Sequence, residues 1–168
     1  MRRLAALLLV AAAPVAAQMS SAIPGTHRPQ WAAGLALGDP TGVTMKRYLG
    51  GRDAFDFGMG FLYGPGVRFS ADYLRDFARV ISNKDFDLDL YAGLGGLIGI
   101  LTSPCGPGFL GNRCNSDVYA GGRVPFGIEL LFRQAPFTAG LELAPGIAFA
   151  PGRAGFLLDF LLVGRLLL

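Results

Sequence analysis

From Val124 to Phe132 every second residue is apolar (Val124, Phe126, Ile128, Leu130, Phe132), and the positions between and beside them include Arg123, Gly127, Glu129 and Arg133. A period of two is that of a β-strand with one greasy face and one charged face. The alternation recurs along the chain. Trp31 to Gly38 sets Trp31, Ala33, Leu35 and Leu37 against Ala32, Gly34, Ala36 and Gly38; Val43 to Leu49 sets Val43 and Met45 against Thr44, Lys46 and Tyr48. Phe55 to Tyr63, Val67 to Tyr73, Phe86 to Leu101, Val118 to Arg133, Phe137 to Leu143 and Phe156 to Leu168 repeat it, so eight strands are expected. Clusters of Gly, Pro and Asp at Gly38–Gly42, Gly50–Asp53, Gly64–Gly66 and Pro151–Arg153 mark turns. The charged stretch Arg75 to Lys84 reads as a longer connection, and Pro125 and Pro145 each call for a local bulge, because proline forfeits a ladder hydrogen bond. No segment has a helical period, and the apolar run Leu90 to Leu101 is too short and too rich in glycine for a spanning helix.

Eight antiparallel strands close into a barrel whose interior is just filled by side chains. The greasy face then points either inward, as in a soluble lipocalin-like binder, or outward into lipid. Three features favour lipid. Phenylalanine crowds the greasy face of nearly every strand, more than a small interior would hold; Phe57, Phe61, Phe69, Phe126, Ile128, Leu130, Leu141 and Phe160 are the lipid-facing candidates. The opposite face carries Lys46, Arg68, Arg123, Arg133 and Arg165 with Asp56, Asp72, Asp87, Asp89, Glu129, Glu142 and Asp159, a set suited to a packed internal ion-pair network. Trp31, Tyr63, Tyr73, Phe132 and Phe137 stand near strand ends, where an interfacial aromatic girdle falls. The expected fold is therefore all-β, an eight-stranded antiparallel up-and-down transmembrane β-barrel over residues 31–168 with a plugged, charge-paired lumen.

Composition agrees. Hydrophobic residues make up 52% of the chain and charged residues only 16%, below the roughly 25–35% that a water-facing surface carries. Arg2 and Arg3, the apolar run Leu4 to Ala13 and Val15-Ala16-Ala17 have the three-part form of a secretory signal peptide, cleaved after Ala17. Residues 18–30 then form a flexible lead-in. Losing two arginines with that leader takes the net charge from +3 to +1, so the basic balance does not point to nucleic acid.

Gly122-Arg123-Val124-Pro125-Phe126-Gly127, Leu131-Phe132-Arg133-Gln134-Ala135-Pro136, Leu141-Glu142-Leu143-Ala144-Pro145 and the turn Gly38-Asp39-Pro40-Thr41-Gly42 resemble a family of small bacterial outer-membrane β-barrels, similar in general shape to the OmpA-type barrel. The resemblance covers about residues 31–168 and implies outer-membrane lipid and the barrel-insertion machinery as partners, with no assigned activity. Such barrels commonly end in an aromatic residue that the machinery reads; this chain ends Leu166-Leu167-Leu168.

Candidate chemistry is sparse. Cys105 and Cys114 share one loop of an exported chain and are expected to form a disulfide worth up to about 3 kcal/mol. The segment 102–117 is the candidate contact for a surface ligand, through Phe109 and Leu110. A lipid-modifying enzyme is the rival class, but the sole histidine, His27, precedes the first strand, and Ser70 with Asp72 has no histidine in its own strand. No phosphate loop, metal-ligand spacing or basic stripe is present, so the expectation is a monomeric, non-enzymatic barrel with no cofactor, metal or nucleic acid.

Overall fold

The computed structural model describes residues 30–61, 66–101 and 117–168. Every regular element among them is a strand: β1 Trp31–Asp39, β2 Thr41–Gly50, β3 Asp53–Phe61, β4 Gly66–Ser82, β5 Phe86–Leu101, β6 Asp117–Arg123, β7 Phe126–Phe132, β8 Phe137–Ala150 and β9 Arg153–Leu167. All pairings are antiparallel, and the sheet closes in a ring through β1 and β9. The expected signal peptide, most of the lead-in with His27, Tyr63, and the loop with Cys105, Phe109, Leu110 and Cys114 lie outside the described residues.

One circuit of backbone partners measures the closure. Leu88 pairs with Leu130, then Ala139, Gly164, Leu35, Val43, Met59 and Phe69, and the eighth pairing arrives at Ile98. That return lands on β5 ten residues above the start, Leu88 to Ile98. A stagger of ten residues over eight positions tilts the strands by about 40° from the ring axis.

Nine strands replace the expected eight because Val124 and Pro125 interrupt the stretch from 117 to 132. The bulge expected there is absent. On the β5 side the partners step from Gly95 with Arg123 to Ala92 with Phe126, three residues on each strand; on the β8 side they step from Gly146 with Arg123 to Leu143 with Phe126. The register is thus continuous, and β6 and β7 occupy one position in the ring. Pro145 is also unbulged, facing Leu158 in an unbroken run. Each proline still uses its carbonyl, Pro125 accepting from the Gly93 amide at 2.8 Å and Pro145 from the Val124 amide at 2.9 Å. Each therefore costs one ladder bond and no change of register.

Register does shift once in β2, between Tyr48 and Gly50, and twice in β4, where the expected connection from Arg75 to Lys84 is largely strand. Register shifts between Asp76 and Ala78 and between Arg79 and Ile81 absorb one extra residue each. Beside them, the β2–β3 turn, whose Arg52 carbonyl accepts from the Asp76 amide at 2.8 Å, is made by Gly50 and Gly51 with φ of 93° and 64°, values glycine adopts without strain.

Alternation sorts the side chains into two surfaces. Apolar interior residues form small groups, among them Ala32, Tyr48, Ala54, Leu74 and Tyr91 at one level and Leu97, Tyr119, Ala148 and Leu157 at another. Most of the interior between them is polar.

Candidate functional site

The functional candidate is this interior, because the charges of the strands converge there. Among the described residues Lys46, Arg68, Arg123 and Arg165 are buried with Asp56, Asp72, Asp87, Asp89, Glu129, Glu142 and Asp159. Each belongs to the inward set of its strand, so the period of two that makes the strand also delivers the charge.

Two arginines organise the middle and upper interior. Arg123 pairs with the Asp72 carboxylate through Nε and Nη2, donates from Nη1 to Asp159 Oδ2 at 2.8 Å, and donates from Nη2 to Ser70 Oγ at 3.2 Å. Glu142 Oε1 stands 3.8 Å from the same guanidinium, and Arg68 Nη2 lies 2.8 Å from Asp159 Oδ1. Arg165 pairs with Asp56, donates to Thr44 Oγ1 at 2.9 Å, and lies 3.5 Å from Glu129. Glu129 in turn accepts from Lys46 Nζ at 2.8 Å and from the Tyr48 hydroxyl at 3.2 Å. The Lys46 ammonium also stands over the rings of Tyr48 and Tyr91, 5.2 and 4.9 Å from their centroids, a cation–π arrangement.

A third group closes the lower end. Arg79 donates to both Asp89 oxygens at 2.7 and 3.1 Å, and Arg133 reaches Asp87 at 2.8 Å. Arg133 corrects one expectation: it follows the end of β7, and its side chain is 39% exposed at the rim instead of packed inside. Arg79 takes the inward place that the alternation had not offered, since the bulges of β4 turn it toward Asp89. Tyr91, whose hydroxyl donates to Glu142 at 2.9 Å, and Thr44 were also missed. Their signal was present, both standing on the polar faces of their strands, but neither is charged.

Inward glycines make room for these side chains. A Cβ on Gly95 would fall on the Asp72 carboxylate, and one on Gly99 would fall on the Tyr119 ring. Gly95→Ala is therefore expected to push Asp72 off Arg123 and lower the unfolding free energy by about 1–3 kcal/mol. Gly96→Ala is its control: that position faces outward, with its nearest neighbour, the Gly121 carbonyl oxygen, at an ordinary 3.7 Å. Urea titration of the two refolded variants checks this, and equal midpoints would refute the packing account.

Among the described residues the interior holds a cavity of about 30 Å³ bordered by Thr44, Asp56, Arg68, Ser70, Arg123 and Arg165. That admits ordered water but no organic ligand. Among the described residues no group of His, Cys, Asp and Glu has the geometry to hold a metal ion. Asp72 and Ser70, the pair on which a catalytic reading would rest, are both engaged by Arg123.

The outer surface is the reverse of the interior. Phe57, Phe61, Phe69, Phe126, Leu141 and Phe160 are exposed, while Ile128 and Leu130, on the same face, are half-covered by their neighbours. Trp31 lies under the Arg47 guanidinium at 5.2 Å, and Phe132 meets Phe137 at 5.9 Å. Tyr73 is not at a strand end as expected, since β4 continues to Ser82, but its hydroxyl donates to Asp53 at 2.8 Å. Comparison with family models, curated proteins and solved structures returned no match.

Proposed function

We propose that this chain is a non-enzymatic integral outer-membrane protein, an eight-position up-and-down transmembrane β-barrel with a plugged lumen and a structural or surface-interaction role. The observation that carries the reading is the inversion of the two faces: buried ion pairs within the ring, exposed Leu, Ile and Phe around it. Water would penalise so large an apolar exterior, whereas lipid accepts it, and a closed ring leaves no backbone edge unsatisfied in hydrocarbon. The paired carboxylates and the small cavity favour a plug over a pore or a catalytic centre. Export through the leader, insertion by the barrel machinery and a monomeric state belong to the same reading.

After expression in a Gram-negative host, the protein is expected in the outer-membrane fraction, with faster gel migration before boiling than after it. Soluble periplasmic protein with no mobility change would overturn the proposal. If the refolded barrel turned over phospholipid and lost that activity on Ser70→Ala, the lipid-modifying reading would replace it.

A further inference from the structure

The apolar belt is not the same height all round, and its taper follows from the register. Four of the eight pairings in the circuit separate Leu88 from Leu35, half of a ten-residue climb, so Leu35 is level with Gly93 on the opposite wall. By the same count Trp31 is level with Asp89, Leu37 with Gly95 and Asp39 with Leu97. Each residue adds about 2.5 Å of height at a tilt of about 40°.

On β1 and β2 the outward apolar positions lie between polar borders. Above are exposed Asp39 and Thr41; below is outward-facing Arg47, paired with Trp31, with only Leu49 beneath it beside the turn. From the level of Trp31 to that of Asp39 is about 20 Å. On the far wall the outward residues of β5 are apolar or glycine from Phe86 to Ile100, about 35 Å. From β6 round to β9 the strands match it, with Val118, Ile147, Phe149 and Phe156 exposed near the top and Phe132 near the bottom, whereas on β4 the outward Arg75 faces Ala92. An outer-membrane belt is ordinarily about 25 Å tall. Tilting the barrel cannot reconcile the two walls, because a tilt moves both borders of one wall in the same direction, whereas here they converge.

We propose that the protein holds a wedge-shaped annulus of lipid, thinned against β1 and β2 and thickened against β5 to β8. The partner is the acyl region of the bilayer itself, drawn in so that headgroups meet Arg47 below and Asp39 and Thr41 above. Mismatch is met by deforming the lipid when the wall is rigid, and the interior ion pairs make this wall rigid. The inference rests on the membrane reading above.

Trp31 is the only tryptophan, so in a Trp31→Phe background a single new tryptophan reports depth. Leu37→Trp and Leu94→Trp label nearly the same level on opposite walls, at positions 53% and 69% exposed. Both are refolded into liposomes containing phosphatidylcholine brominated at different depths, with the gel shift confirming the fold. The wedge predicts strongest quenching of Leu37→Trp by bromines near the ester end and of Leu94→Trp by bromines near the methyl end, a depth difference of about 10 Å. Matching profiles would overturn the wedge and leave the barrel standing. Folded protein quenched by no brominated lipid would instead overturn the membrane reading.

Discussion

Replacing Arg123 with leucine is expected to lower the unfolding free energy of the refolded protein by about 3–5 kcal/mol, the usual effect of removing one partner from a buried ion pair. The cost is large because the guanidinium serves Asp72 and Asp159 at once, with Glu142 nearby, and all three acids are buried. Asp159 keeps Arg68 at 2.8 Å, so the uncompensated charge falls mainly on Asp72. Adding Asp72→Leu to Arg123→Leu should therefore recover much of the loss, since an apolar pair of similar volume is often as stable as the ion pair it replaces. Urea titration followed by Trp31 fluorescence measures both variants. If Arg123→Leu unfolded at the wild-type urea concentration, Arg123 would not be the centre of the upper interior.

Leu141→Arg is expected to cost about 2–4 kcal/mol in a bilayer, against about 0.5 kcal/mol or less for an exposed position in water. Leu141 faces outward between Ile128 and Leu162 near mid-belt, and it is 41% exposed. Phe149→Arg, close to the upper end of β8, should cost about 0–1 kcal/mol by the same depth rule. The comparison is made by reversible unfolding from liposomes. Two equally mild effects would mean that no hydrocarbon surrounds the ring.

The two-faced character of the wall was legible in the sequence because alternation is a local signal: reading Arg123 against Phe126, or Asp56 against Phe57, needs no knowledge of neighbours. The interior candidates were likewise found, all but Arg133 being buried. The lower half of β4 was illegible for the same physical reason. Its two bulges break the period, so Arg75 faces out, Arg79 faces in, and the stretch looks like a charged loop. The prolines misled in the opposite direction. Pro125 and Pro145 carry a penalty on their own strands, but each is a single missing donor in a two-bond pair, something only the three-dimensional partners reveal. Which acid meets which base was also beyond reach, since Arg165 and its partner Asp56 are 109 positions apart.

The seam between β1 and β9 bears on how the molecule is made. Its pairs run from Ala32 with Leu167 to Asp39 with Phe160, joining the first and last strands of the ring. Hairpins such as β3–β4 can form from a partial chain, but the seam needs nearly the whole length to have been synthesised and carries the largest loop-closure entropy in the fold. Arg165 sits in that last strand and Asp56 in β3, so this pair, unlike Arg165 with Glu129 two strands away, forms only when the ring closes. Assembly is thus ordered by charge as well as by topology: the event that joins the edges also brings the cation of the last strand to an acid of the third.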